Sequence, residues 1–284
     1  MPAPAINHVS DTALWVASYR AAESARPDAL FKDPLAHQLA GDQGRAIAGH
    51  VGGSRYVAWS VVVRTCIIDA FIRRLLNEGV DTILNLGAGL DTRPYRLELN
   101  DKVRWIEVDY PHVIAHKERH LQNAEPRCRL ERVKLDLADR PARQHLFAQI
   151  RAQSQKVLVL TEGVVPYFSN EHAAALADDL HDAGNFSCWL LDYFSSRLIK
   201  YMRDGKLRRQ MRNAPFRFDP PEYFAFFEEH GWHARETRYL GEESEKLGRP
   251  IPAPWFFKIL RRFLPAKQRL AMKRFSAYVL MERK

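Results

Sequence analysis

The sequence predicts an α/β fold: a seven-stranded, mostly parallel sheet with an antiparallel last strand and a helical cover at the N-terminus. Three observations carry this expectation. From residue 82 onward, short apolar runs alternate with stretches of helical periodicity, the pattern of βαβ units. Several runs are continuously apolar, as in Val157-Leu-Val-Leu160, which fits strands buried on both faces. The last two strand-like runs have no buried crossover helix between them, so the final strand is expected to run antiparallel.

Taken in order, Asp11 or Thr12 can cap a helix through Ala13-Leu-Trp-Val-Ala-Ser-Tyr-Arg20, which Arg26-Pro27 ends. Asp33-Pro34 starts a second, short helix. Residues 56–77 form a long amphipathic helix, with Val57, Val61, Ile68, Ile72 and Leu75 on one face. Strands are expected at 82–87, 103–109, 130–136, 156–161 and 186–193. Helices are expected between them at 111–122, 142–151 and 170–183. Two more strands, 233–240 and 275–283, close the chain. The whole reads as a single domain over 1–284, with a cover (1–78) and a core (79–284) that carries insertions at about 195–220 and 241–274.

Composition narrows the classes. The chain has 284 residues, 46% of them hydrophobic, enough to bury a sizeable core. No apolar run is long enough to span a bilayer, and MPAPAINHVSD lacks the basic start and apolar stretch of a secretion signal. Cys66, Cys128 and Cys188 are too dispersed for a disulfide framework or a zinc site, so a reducing, cytoplasmic setting is expected and no metal is. The net charge of +9 is uneven: residues 195–284 hold 21 Lys+Arg against 10 Asp+Glu. An anionic small substrate, a nucleic acid, a membrane surface or a solvated basic face would each suit that excess.

The chemistry-bearing stretch is Thr82-Ile-Leu-Asn-Leu-Gly-Ala-Gly-Leu-Asp-Thr-Arg-Pro-Tyr-Arg96. In an α/β sheet, ligands bind at the carboxyl ends of the strands, and the Gly87-Ala88-Gly89 turn follows the first strand there. The dinucleotide fingerprint needs a third glycine at position 92, and this chain has Thr92. A pyrophosphate is therefore disfavoured against a nucleoside without phosphates, such as S-adenosylmethionine (SAM). Asp109 ends the second strand, where an acid can accept from ribose hydroxyls or cap the helix that starts at Pro111. Asp136 and Leu137 end the third strand, where an acid beside an apolar residue suits an adenine ring or, equally, a helix cap. Glu162 ends the fourth, beside a cationic sulfonium or amino group, or in a salt bridge at the sheet edge. Tyr167 would line the substrate entry. Arg64 interrupts an apolar helix face and needs an anion there: the SAM carboxylate or an aspartate such as Asp91.

Together, Asn85-Leu-Gly-Ala-Gly-Leu-Asp-Thr-Arg93, Glu107-Val-Asp-Tyr-Pro111, Asp136-Leu137 and Thr161-Glu-Gly163 resemble the leucine carboxyl methyltransferase family. Thr12-Ala-Leu-Trp-Val-Ala-Ser-Tyr-Arg20 and Arg26-Pro-Asp-Ala-Leu-Phe-Lys-Asp-Pro34 resemble its bacterial branch, which includes tetracenomycin-type polyketide O-methyltransferases. The similarity runs from about residue 12 to 194. It implies a Rossmann-like class I SAM-dependent methyltransferase fold and an enzyme that leaves S-adenosylhomocysteine (SAH). It puts Arg64 on the SAM carboxylate, Gly87 under the methionine portion, Asp109 on the ribose, Asp136 and Leu137 at the adenine, and Glu162 near the methionine end.

Such an enzyme mainly aligns its reactants. A carboxylate acceptor is already ionised at neutral pH, whereas a phenol wants a base. A carboxylate on a small, anionic or polyketide-like acceptor is favoured, with Arg203, Lys206, Arg208, Arg209 and Arg212 ringing its entry. His112, His116 and His120 share one helical face, more often solvated than metal-binding. Trp255-Phe-Phe-Lys-Ile-Leu-Arg-Arg-Phe263 is expected to pack on its own domain. Three alternatives remain: an NAD-dependent oxidoreductase, which Thr92 disfavours; an RNA-binding methyltransferase, for which no RNA-recognition motif is present; and a catalytically silent SAM-fold binding protein. No nucleic-acid partner and no stable membrane insertion are expected.

Overall fold

The computed structural model describes residues 11–50, 54–204, 215–253 and 263–284. Seven strands form one sheet: β1 (Thr82–Leu86), β2 (Arg104–Asp109), β3 (Arg129–Lys134), β4 (Val157–Thr161), β5 (Phe186–Phe194), β6 (Trp232–Tyr239) and β7 (Ser276–Arg283). The order across the sheet is β3-β2-β1-β4-β5-β7-β6. The first five strands pair in parallel, and β7 lies antiparallel between β5 and β6. All seven expected strands are present, and β7 is the reversed one. Strand order reverses between β1 and β4, so a crevice opens at their carboxyl ends.

Burial explains which runs were legible. β1 and β4 are buried at every position, as their unbroken apolar sequences require. β3 lies at the sheet edge, and Arg129-Leu-Glu-Arg-Val-Lys134 is accordingly polar and partly exposed.

Helices cover both faces. On one, α3 (Ser54–Asn77) packs Phe71, Ile72 and Leu75 against Ile83, Leu158 and Leu190. On the other, α6 (Arg140–Gln153) and α7 (Asn170–Asp182) close over Val157, Val159 and Trp189. Of the expected stripe, Ile68, Ile72 and Leu75 face the sheet, whereas Val57 and Val61 pack with Trp15 and Tyr19 of the cover. Asp139 caps α6 and Ser169 caps α7, each through a side-chain oxygen.

The N-terminal cover consists of α1 (Asp11–Ser24) and α2 (Ala36–His50) packed on each other. Its anchor is a buried junction. Asp33 accepts from Arg20 Nε at 2.8 Å and from Thr92 Oγ1 at 2.7 Å, and Arg20 Nη2 donates to the Leu90 carbonyl at 2.5 Å. Arg249, in the second insertion, braces the same cover through Asp28 at 2.9 Å and Glu23 at 3.2 Å.

Among the described residues, no helix is long and apolar enough to cross a membrane, and no group of His, Cys, Asp and Glu is placed to hold a metal ion. The His face is not simply solvated. His112 is exposed, but on α5 (Pro111–His120) the His116 ring packs 4.1 Å from His120 and its Nε2 lies 3.2 Å from the Leu39 carbonyl of α2. The sequence could not show this, because α2 and α5 meet only in the fold.

Candidate cofactor and acceptor cavity

The carboxyl ends of β1 to β5, α1, α3 and the first insertion enclose one cavity of about 870 Å³. Its wall includes all nine residues singled out from the sequence: Arg64, Gly87, Ala88, Gly89, Asp109, Asp136, Leu137, Glu162 and Tyr167.

The turn after β1 is built from backbone bonds. The amides of Gly87 and Ala88 both donate to the Val108 carbonyl, at 2.8 and 3.1 Å. The Gly89 amide donates to Asp109 Oδ2 at 2.6 Å. These are the amides that would cradle a pyrophosphate, and the protein has already bound them. Gly87 has φ +66°, and a Cβ there would collide with Val164 Cγ2. The turn leads only into the four-residue helix α4 (Arg93–Arg96), not into a long one. Thr92, at the third-glycine position, is fully buried and serves the cover through Asp33.

Asp109 does not cap α5. Its Oδ1 accepts from the Tyr110 amide at 2.7 Å while Oδ2 holds Gly89, and burial raises its pKa against those two amides. Asp136 is exposed and accepts from the Ala138 amide at 2.9 Å, whereas Asp139 does the capping. Leu137 is buried beside it.

Among protein carboxylates, Arg64 pairs with Glu162 rather than with the expected Asp91. Its Nε lies 2.9 Å from Glu162 Oε1 without forming an aligned hydrogen bond, a buried donor whose only close partner among the described residues is that ion pair. Glu162 is also bound by Arg93 Nη1 at 2.8 Å. Burial opposes its charge, but Arg93 and Arg64 hold its carboxyl below the usual range. Because β4 is a central strand, this is no sheet-edge salt bridge.

Arg93 is the hub that the sequence reading missed. It is 2% exposed and also donates to Asp69 at 2.7 Å and Asp91 at 2.9 Å. Arg96 grips Asp69 from the other side, at 2.6 and 2.8 Å. Burial disfavours the charges of Asp69 and Asp91, yet the arginines keep both carboxyls below the ordinary range. Asp69 carried the same signal as Arg64, a charge inside the apolar run of α3.

Past Glu162 the wall turns aromatic. Tyr167 stacks on Phe216 with ring centres 5.0 Å apart, and Trp15, Phe194 and Tyr201 join them. Burial pushes the Tyr167 hydroxyl up to about 12, with Arg64 opposing, so it stays protonated at neutral pH. The first insertion thus reaches the cavity through α8 (Ser196–Asp204) and Pro215 to Arg217. Lys206, Arg208, Arg209 and Arg212, the Arg203 side chain and residues 255–262 lie outside the described residues.

Asp192, two residues before the end of β5, was also missed. It is 4% exposed on the cavity wall and accepts from Tyr278 Oη at 2.6 Å and the Gly163 amide at 2.7 Å. An acid closing the apolar run Cys188-Trp-Leu-Leu191 was its signal.

The sheet order and the engaged glycine turn define a class I SAM-dependent methyltransferase fold rather than a dinucleotide-binding one. Two solved structures share the fold over 94% of this chain: a DUF574 family protein of Streptomyces avermitilis (14% identity, TM-score 0.58, 97% of its chain) and a candidate methyltransferase of Thermobifida fusca (17%, 0.55, 94%). The leucine carboxyl methyltransferase family model matches residues 13–181. A Frankia alni protein, a candidate S-adenosyl-L-methionine-dependent methyltransferase, is 31% identical over 262 residues, covering 86% of this chain and 90% of the relative. The chain belongs to the leucine carboxyl methyltransferase family, and it is a SAM-dependent methyltransferase.

Proposed function

We propose that this enzyme methylates an oxygen of a small acceptor seated in the aromatic part of the cavity, with SAM held at the strand ends. The observation that carries this reading is the single wall shared by the nine expected residues and the Tyr167–Phe216 stack. In this reading Asp109 accepts from the ribose, Asp136 and Leu137 take the adenine, and Gly87 to Gly89 form the floor. Arg64 receives the amino-acid carboxylate and Glu162 faces the amino group, both residues lying on the wall. When bound, SAM supplies a methyl group on a positively charged sulfur. The chain's own share is alignment and exclusion of water, worth up to roughly 7–11 kcal/mol when geometry is well held.

Two oxygen nucleophiles suit the site. A carboxylate, on an anionic or polyketide-like acceptor, is supported by the family description and the basic C-terminal third. A hydroxyl is supported by the acidic, aromatic wall. Incubation with methyl-tritiated SAM and a panel of hydroxylated and carboxylated aromatics tests the reading. Labelled product that releases volatile methanol in mild base is an ester, and base-stable label is an ether. No labelled oxygen product across the panel would count against O-methylation.

A further inference from the structure

We infer that Asp192 takes the proton of the acceptor, and that the acceptor therefore presents a hydroxyl rather than a carboxylate. The inference rests on the O-methylation reading above and deepens it. Asp192 lies two residues before the end of β5, next to β4, whose end carries Glu162, and it borders the cavity together with Phe194 and Tyr278. Glu162, Asp91 and Asp69 each touch an arginine, and their charge is committed there. Asp192 instead touches a phenol and an amide, one on each oxygen, and a carboxylate has further lone pairs to offer.

The surrounding charges point the same way. The described wall carries Asp91, Asp109, Asp136, Glu162 and Asp192 against Arg20, Arg64 and Arg217, and of these arginines Arg64 pairs with Glu162 and Arg20 with Asp33. A carboxylate acceptor would add an anion beside Glu162 and Asp192; a neutral hydroxyl would not. Burial pushes the Asp192 carboxyl up to about 6, opposed by Tyr278, Arg64 and the Gly163 amide and aided by Glu162. At neutral pH it is ionised yet basic enough to accept a proton in passing. The phenols around it are poor bases: Tyr167 and Tyr278 on the wall and Tyr223, which donates to the Asp192 carbonyl, are all raised by burial. In the step, the acceptor O–H bond breaks as its oxygen bonds the methyl carbon, and the proton passes to Asp192 and then to solvent. The electron pair of the broken carbon–sulfur bond stays on sulfur.

The test uses two probes with one ring system, 2-naphthol and 2-naphthoate, with the full-length enzyme and methyl-tritiated SAM. Binding of each probe to the SAH-loaded protein is followed by naphthyl fluorescence. The expected result is at least about tenfold faster methylation of the naphthol, and a loss of about a hundredfold or more in Asp192→Asn with naphthol binding retained. The wild-type rate should fall about tenfold per pH unit below about 6. Should Asp192→Asn not fold, Tyr278→Phe should move that acid limb upward, because it removes a donor to the charged carboxylate. Faster turnover of the naphthoate, an Asp192→Asn rate equal to wild type, an unmoved acid limb in Tyr278→Phe, or neither probe being bound or methylated would overturn the inference. Failure of SAM and SAH themselves to stabilise the protein would instead sink the cofactor reading beneath it.

Discussion

The Thr92 hydroxyl donates to Asp33 across 2.7 Å, joining the turn after β1 to the N-terminal cover. The position where a dinucleotide-binding protein keeps its third glycine is thus used to fasten α1 and α2 over the site. Thr92→Gly would complete the glycine fingerprint, yet it should not confer NAD binding, because the Gly87, Ala88 and Gly89 amides stay engaged. It should cost about 1–3 kcal/mol through the lost hydrogen bond and the freed backbone. Asp33→Ala, which strands the buried Arg20, should cost about 3–5 kcal/mol and weaken SAM binding as well. Urea unfolding and calorimetric titration with NAD and SAM measure both.

Gly87→Ala combines a left-handed backbone with a collision at Val164. A loss of about 1–3 kcal/mol is expected, with weaker SAM binding. Val164→Ala should recover part of it, so the double mutant will be less destabilised than the sum of the singles. Strict additivity in urea unfolding would mean that the collision is not the cause.

Arg93 and Arg64 share Glu162 but differ in burial. Arg93→Met uncovers buried carboxylates and should cost about 3–5 kcal/mol of stability. Arg64→Met leaves Glu162 with Arg93, so its stability cost should stay near about 1 kcal/mol. Its larger effect should be on SAM, about 2–5 kcal/mol of binding. Equal stability losses in the two variants would contradict the separate roles given to them.

The carboxylates also set opposite pH dependences. Glu162, Asp91 and Asp69 have folded-state pKa values below their ordinary ones, so their stabilisation is present above the unfolded pKa and is lost as pH falls through the folded one. Asp192 is raised to about 6, so its contribution is full below the unfolded pKa and is lost as pH rises through 6. By about 1.4 kcal/mol per unit, that leaves a penalty of about 3 kcal/mol at pH 8. An Asn can accept from Gly163 and donate to the Tyr278 oxygen, so Asp192→Asn should be more stable than wild type at pH 8 and lose that advantage towards pH 4. Urea midpoints at the two pH values check the sign.

The fold was legible because burial on both faces writes itself into continuous apolar runs, as in Val157 to Leu160. The place of β7 between β5 and β6 was not, since antiparallel pairing leaves no mark on which neighbour a strand chooses. Asp109, Asp136 and Glu162 were found as acids closing strands. Asp192 carried the same mark, and Asp69 carried the mark that revealed Arg64. The Thr92–Asp33 bond was out of reach because its partners lie 59 residues apart and meet only when the cover docks. Arg93 was visible as a motif letter, but its three carboxylates come from α3, the turn after β1 and the end of β4.

The most direct test of the cofactor assignment is thermal unfolding of wild type and Asp109→Ala with SAM, SAH, NAD and NADH. A ligand at about 100 times its Kd adds roughly 2.7 kcal/mol, which for a chain of this size is a shift of roughly 5–10 °C. The prediction is a shift with SAM and SAH alone, much reduced in Asp109→Ala. A shift with NAD or NADH, or an Asp109→Ala protein that responds to SAM as wild type does, would contradict it.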